Sequence, residues 1–256
     1  MNNPPNIVST TNWNVNSLRY SLFPKQNYVI DNDWWMKIVG TSPENISINQ
    51  KISAHHYEGE FHAGLLVIDL NPIRIDINYI ATKLNYPNQQ GFLSLGLFDK
   101  VVSSFIPSIH SFLKLDNCPA AQRIAFGVTL FSRAESKESS YLFLSEYLKN
   151  KIVIDPKFSR DFLYQINRPK KSTTIDDLEI NRLSKYFALK FQTIVTQPFS
   201  GLPPQNIIDG EYTANLEIDI NTQGDYSLEL SRDQQLHLLD ELVNLARDIS
   251  IQGDIE

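Results

Sequence analysis

Alternating apolar and polar positions recur along the chain and predict β-strands in both of its halves. Leu18, Tyr20 and Leu22 alternate with polar neighbours before Pro24, which ends the segment. The same period of two runs through residues 55–67, 68–78, 124–130, 162–167, 188–195 and 215–221. A period of two is typical of a strand that buries one face. The pattern therefore predicts several antiparallel strands.

Three segments have apolar residues three or four positions apart, which predicts amphipathic helices. The first is a helix of about five turns, bent at Pro107. The second is short and begins at Ser136. The third begins at Ser231, which together with Gln234 has the form of a capping box. The apolar positions of the first helix are Leu97, Val101, Phe105, Ile109 and Phe112.

A short phrase recurs near three of the predicted strands. It reads Ile68-Asp69-Leu70-Asn71, then Ile75-Asp76-Ile77-Asn78, and later Ile218-Asp219-Ile220-Asn221. Its recurrence before a long helix is compatible with an internal duplication, and equally with the common use of Asp and Asn at turns. We expect an α+β fold in which antiparallel sheets are each covered by a long amphipathic helix. The two sheets either pack together or join side by side.

The predicted domain organisation follows from this pattern. Residues 1–12 are rich in Asn, Pro, Ser and Thr and are expected to be a flexible arm. Residues 13–118 would form a first strand-rich and helical unit. Residues 119–256 would form a second unit of the same kind.

Charge is unevenly distributed over a chain whose net charge is −6. Residues 157–190 hold eight Lys and Arg against four Asp and Glu, whereas residues 191–256 hold two against twelve. The basic part coincides with a predicted hairpin at 164–190, which we call the basic hairpin. Either it contacts an anionic partner, or the two charge sets face each other within the molecule or across an oligomer. We favour the second alternative, because most charged side chains of a globular protein pair with each other or face solvent.

The basic hairpin carries the residues that would contact an anionic partner. Cations beside aromatic rings suit the tracking of a nucleic-acid backbone and the stacking of bases. Against this interpretation, the whole protein is acidic, and a broad positive field is the usual source of such affinity. Nucleic-acid binding is therefore an alternative function. Its candidate residues are Tyr164, Arg168, Lys170, Lys171, Arg182, Lys185 and Tyr186.

Catalytic motifs are absent from the sequence, and no catalytic, cofactor-binding or metal-ligating residues are assigned. Glu58, Glu60 and His62 could contribute to a metal site only with a further ligand from a neighbouring strand. A metal-dependent enzyme is accordingly the third hypothesis. Cys118 is the one cysteine, and it is interpreted as a small buried hydrophobe rather than as a nucleophile.

The single cysteine also suggests a reducing compartment. The first residues lack a basic start followed by an apolar run, and no stretch approaches the roughly 20 apolar residues that span a bilayer. We therefore expect a cytoplasmic protein that does not contact the membrane.

Two phrases of the chain resemble a known group of proteins. The segments Asp161-Phe162-Leu163-Tyr164-Gln165-Ile166-Asn167-Arg168-Pro169 and Ile180-Asn181-Arg182-Leu183-Ser184-Lys185, followed by the last strand and helix, resemble a sporadically distributed family of uncharacterised bacterial proteins. The resemblance covers most of the chain and transfers no functional residues. Such families often occur near mobile and defence genes, which implies an accessory role. The leading hypothesis is a non-enzymatic protein-interaction module that binds a partner protein or a second copy of itself.

Overall fold

The computed structural model describes residues 13–82, 91–149, 152–195, 206–225 and 229–253, without the side chains of 192–195 and 206–209. The predicted flexible arm, residues 1–12, lies outside the described residues. None of the described helices is long and apolar enough to cross a membrane.

The described residues form eleven strands and four helices. The strands are β1 (Asn14–Pro24), β2 (Asn45–Asn49), β3 (Ala54–Phe61), β4 (Gly64–Asn71), β5 (Arg74–Ile80), β6 (Gly96–Leu97), β7 (Ala121–Ala134), β8 (Leu163–Asn167), β9 (Lys170–Lys171), β10 (Glu179–Val195) and β11 (Asn206–Thr222). The helices are α1 (Trp34–Val39), α2 (Phe98–Leu113), α3 (Lys137–Tyr147) and α4 (Arg232–Gln252).

All eleven described strands belong to one antiparallel sheet. Its order is β2-β3-β4-β5-β1-β7-β11-β10-β8, with β6 paired to β1 and β9 paired to β10. Pairing of β1 with β7 joins the strands of residues 13–118 to those of residues 119–256. The two halves have the same strand order. Each begins with a central strand, β1 or β7. The chain then crosses to the outer edge of the sheet, and the following strands pair one after another back towards the centre.

The predicted fold class is wrong. Instead of separate antiparallel sheets, each with its own covering helix, the molecule is built mainly from one large sheet. Helix α4 packs on β7 and β11, whereas α2 lies against β1, β6, α1 and α4. Helices α2 and α4 therefore contact each other over the middle of one continuous sheet, because the central strands of both halves are hydrogen-bonded neighbours.

Alternation along the strands places the core on one side of the sheet. Leu18, Tyr20 and Leu22 of β1 are fully buried, as are Ile124 and Phe126 of β7. These residues face the four helices, and we call this side the core face. Residues at the intervening positions lie on the opposite side, which we call the polar face.

Both predicted helix starts after Ser136 and Ser231 are confirmed. Ser136 accepts a hydrogen bond from the backbone N–H of Ser139, and Ser231 accepts one from the backbone N–H of Gln234. In each case the third residue returns a side-chain hydrogen bond to the cap, so both starts are capping boxes. Pro107 lies inside α2, as expected.

The segment at 55–67 was predicted as one strand, and this prediction is wrong. The chain turns at His62 and Ala63, so β3 and β4 form a hairpin. His62 has φ of 49°, in the left-handed region. The turn reverses the alternation: Tyr57 and Phe61 are on the core face, whereas Val67 pairs with Asn78 on the polar face.

Candidate functional site

A groove of about 460 Å³ crosses the polar face of the sheet. Its walls come from β5, β1, β7, β11, β10 and β8, and no helix contributes to them. We call it the polar groove. The pairing of the strands places the side chains that line it in two rows, which run across the strands. The first row is Ile80, Ser17, Thr129, Glu217, Lys185 and Gln165. The second row is Asn78, Arg19, Gly127, Asp219 and Leu183.

Gly127 forms the low point of the groove. A Cβ atom at this position would lie 3.2 Å from Nη2 of Arg19, so the missing side chain makes room for the guanidinium. Arg19 passes over β7 and its Nη2 donates to Oδ2 of Asp219 on β11 at 2.9 Å. The glycine therefore permits the close approach of a side chain and does not serve a turn.

Asp219 is held from a second direction. Its Oδ1 accepts a hydrogen bond of 2.8 Å from Nδ2 of Asn221. Oδ1 of Asn221 in turn accepts from Nη2 of Arg123 at 2.8 Å and from Nδ2 of Asn181 at 3.2 Å. A continuous network of hydrogen bonds thus fixes the carboxylate that faces Arg19.

The first row carries a second ion pair. Nζ of Lys185 lies 3.0 Å from Oε2 of Glu217, and both side chains are about a third to two fifths exposed. Neighbouring Gln165 and Thr129 supply groups that can both donate and accept hydrogen bonds. The groove therefore presents two cations, two anions and several neutral polar groups to solvent.

Only one of the residues predicted to contact an anionic partner lines the polar groove, namely Lys185. Tyr186, its neighbour in sequence, is fully buried on the core face, where its ring packs against those of Tyr147 and Tyr164. Arg182 alternates onto the core face as well, opposite Ile220. Arg168 follows β8, with its backbone N–H bonded to the carbonyl of Arg182.

Lys170 and Lys171 form β9 at the outer edge of the sheet and are exposed. The seven residues are therefore divided among the polar face, the core face and the sheet edge. Sequence reasoning missed Arg19, Gly127, Asp219 and Glu217. These positions belong to alternating segments, but their meeting depends on the pairing of distant strands.

The histidine and carboxylate residues considered for a metal are also separated. Glu60 lies on β3, opposite Leu65, and His62 occupies the turn, with its ring against Phe61. His56 contacts Asp69 instead, with 2.7 Å between Nδ1 and Oδ1. Within the described ranges no three His, Cys, Asp or Glu side chains are arranged to hold a metal ion.

Cys118 is buried, and burial raises the pKa of its thiol to about 12. A thiol with such a pKa is almost entirely protonated at neutral pH and is a poor nucleophile.

A smaller cavity of about 270 Å³ lies beside α3 and carries positive charge. Lys137, Arg160 and Lys190 line it together with Asp161. The ammonium groups of Lys137 and Lys190 lie over the rings of Tyr141 and Tyr212, at 5.6 and 5.2 Å from the ring centres. The described chain thus has a mixed-charge groove on the polar face and a basic cavity beside α3.

The sequence matches no protein-family model, and no curated protein is significantly similar to it. The resemblance to uncharacterised bacterial proteins stays a prediction.

Proposed function

We propose that the protein is a non-enzymatic, cytoplasmic protein-interaction module, and that its polar groove binds an extended segment of a partner protein. The observation that carries this proposal is the pair of transverse rows, in which Arg19 and Asp219 are followed by Lys185 and Glu217. An accessory role in a bacterial defence or mobile-element context, which the sequence resemblance implies, is part of the same proposal.

The length of the groove supports an extended occupant. It crosses six strands, and neighbouring strands are about 4.8 Å apart, so its path along the sheet is about 24 Å. An extended polypeptide advances about 3.3 Å per residue and would fit about seven residues into this path. Backbone amides of such a segment would find donors and acceptors in Asn78, Thr129 and Gln165.

The balance of charge supports a protein partner rather than a polyanion. Arg19 and Lys185 are each within 3.0 Å of a carboxylate oxygen, so the groove as a whole is close to neutral. A nucleic acid gains affinity by releasing counterions from many phosphates at once, which requires unneutralised cations. A peptide with both acidic and basic side chains can form ion pairs with these four groups: its carboxylates with Arg19 and Lys185, and its cations with Asp219 and Glu217.

Nucleic-acid binding remains the second candidate. The basic cavity of Lys137, Arg160 and Lys190 favours it, because three cations lie there near two aromatic rings and one carboxylate. The exposed Lys170 and Lys171 of the basic hairpin lie elsewhere, at the sheet edge.

The test uses the intact protein with two probes: an array of immobilised 13-residue peptides of varied composition and a 20-nucleotide single-stranded DNA. Thr129→Trp fills the middle of the groove. Leu142→Trp is the matched control, since it adds the same ring at an exposed position of α3, 50% accessible and outside the groove. We expect a subset of peptides to bind, Thr129→Trp to weaken that binding at least tenfold, and Leu142→Trp to leave it unchanged.

Two results would overturn the proposal. One is that no peptide is retained, and the other is that Thr129→Trp binds peptides as the wild type does although its thermal unfolding is unchanged. Salt-sensitive retention of the DNA that is lost in Arg160→Glu/Lys190→Glu would transfer the function to the basic cavity.

A further inference from the structure

The two edges of the sheet differ in how they are protected against pairing with another chain. At the β8 edge, the strand is followed by Arg168 and Pro169 and then by the exposed lysines of β9. Charged residues, lysine above all, and proline are the usual means by which proteins prevent a sheet edge from pairing. The basic hairpin therefore has a structural use as a protected edge.

At the opposite edge, β2, proline and charge lie only outside the strand: Pro43 and Glu44 precede it and Lys51 follows it. Its five residues, Asn45–Asn49, are all exposed and include no charged residue and no proline. In the described part of the chain β2 pairs only with β3, so its outer side presents backbone N–H and C=O groups to solvent. An edge of this kind is a template for another strand.

The sequence of β2 suits pairing with a second copy of itself. Asn45-Ile46-Ser47-Ile48-Asn49 reads the same in both directions. When two copies pair in antiparallel fashion about Ser47, Asn45 meets Asn49, Ile46 meets Ile48, and Ser47 meets Ser47. Any strand can pair with a second copy of itself about a twofold axis, and in this register β2 brings like residues together at every position.

The side chains of β2 are also arranged for this contact. Ile46 and Ile48 lie on the core face, opposite Tyr57 and His55, and are 58% and 49% exposed. Pairing would bring four isoleucines from two copies together on one face and remove apolar surface from water. Beyond the strand, Glu44 of one copy would lie opposite Gln50 of the other and next to Lys51, an opposite charge.

We infer that β2 is a self-association surface, through which a second copy of this chain adds to the sheet in antiparallel register about Ser47. The polar groove includes no residue of β2, so this contact does not depend on the proposed function.

The first measurement is the mass of the intact protein in solution, by light scattering after size exclusion over a concentration series. A protomer has a mass of 29.3 kDa, and we expect a concentration-dependent rise to twice that value. Ile46→Lys/Ile48→Lys places four cations together in the dimer and should raise the dissociation constant at least tenfold. Leu163→Lys, at an exposed position of the opposite edge, is the control and should change nothing.

A second pair of variants tests the register. Ser47→Cys places two thiols directly opposite each other, at a Cα separation of about 4.5–5.5 Å, which a disulfide can bridge. Asn45→Cys places its two thiols about 13 Å apart along the strands and should not cross-link. The buried Cys118 does not compete. A monomer at every concentration, a dimer that persists in Ile46→Lys/Ile48→Lys, or equal cross-linking of the two cysteine variants would overturn the inference.

Discussion

Arg19 and Asp219 are 200 positions apart in the chain, and the side chain of Arg19 reaches over Gly127 to meet Asp219 at 2.9 Å. The contact connects β1 of one half to β11 of the other across the backbone of β7. The polar groove is therefore a product of both halves of the sheet, and it exists only because β1 and β7 are neighbours.

A double-mutant cycle should measure this contact. Arg19→Met keeps most of the aliphatic stem and Asp219→Asn removes the charge, so the coupling reports the ion pair. We expect a coupling energy of about 0.5–1 kcal/mol in urea unfolding, because both side chains are about two fifths exposed. The Lys185→Met/Glu217→Gln cycle, at similar exposure, should give a similar value. Strictly additive effects at both pairs would show that the pairs contribute nothing.

The sequence predicted the local elements better than their arrangement. Strand and helix periods are local properties, and they located β1, α2, β7 and α4. Pairing of β1 with β7 depends on contacts about 100 residues apart, for which no local pattern exists. The hairpin at His62 escaped detection because residues 65–68 are all apolar, so odd-numbered positions stay apolar although the turn exchanges the two faces.

The division of the basic hairpin between two faces was within reach of the sequence. Lys185 and Tyr186 are adjacent in a strand, and a period of two places adjacent residues on opposite faces. Proximity in sequence was interpreted as proximity on one surface, which holds for helices and loops but not for strands. The polar groove itself could not be predicted from the sequence, because the role of Gly127 depends on its contact with Arg19, and that contact follows from the pairing of β1 with β7.

Glu241 of α4 should make stability depend on acidic pH. Its carboxylate accepts hydrogen bonds from Ser172 at 2.7 Å, from the backbone N–H and hydroxyl of Thr173 at 2.7 and 2.9 Å, and from the hydroxyl of Thr174. Burial raises the pKa of Glu241, but the hydrogen bonds from Thr174, Thr173 and Ser172 together outweigh burial, and the net pKa is lowered.

Because the pKa of Glu241 is lower in the folded state, the ionised carboxylate stabilises the fold. This stabilisation is fully present above the unfolded-state pKa and is lost as the pH falls through the folded-state pKa. Glu241→Gln should cost about 1–2 kcal/mol at pH 7 and progressively less below pH of about 4.5, measured by urea unfolding. The exposed Glu229→Gln is the control. A cost that is the same at pH 7 and pH 3 would refute the assignment.

His56 should titrate above the usual range of a histidine. The hydrogen bond to Asp69 is the main cause that raises the pKa of His56, and Glu58, at 3.6 Å from Nε2, adds to it. The resulting stabilisation is present below about pH 6.5 and is lost as the pH rises through the folded pKa. In an NMR titration, Asp69→Asn should lower the pKa of His56 more than Glu58→Gln does. The reverse order would contradict the geometry.

Cys118 should be unreactive until the protein unfolds. It is buried, and its raised pKa leaves little thiolate at neutral pH. We expect the rate of reaction with a thiol-specific disulfide reagent at pH 8 to rise at least 100-fold in denaturing urea, with one thiol titrated per chain. Rapid reaction of the folded protein would show that the site around Cys118 opens readily.

Gly64 and Gly224 should differ sharply in their tolerance of alanine. A Cβ atom on Gly64 would overlap the carbonyl oxygen of Ile80, which is backbone of β5, and Cδ2 of Leu95. The carbonyl of Ile80 cannot move away without disturbing the ladder between β4 and β5, so Gly64→Ala should cost about 1–3 kcal/mol in urea unfolding. At Gly224 no atom of the described residues lies within 4 Å of the added atom. Gly224→Ala should therefore change the unfolding free energy by less than about 0.5 kcal/mol.

Equal stability of the two variants would mean that the start of β4 can shift away from β5 at little cost, and that the close contact at Gly64 does not fix the register of this hairpin.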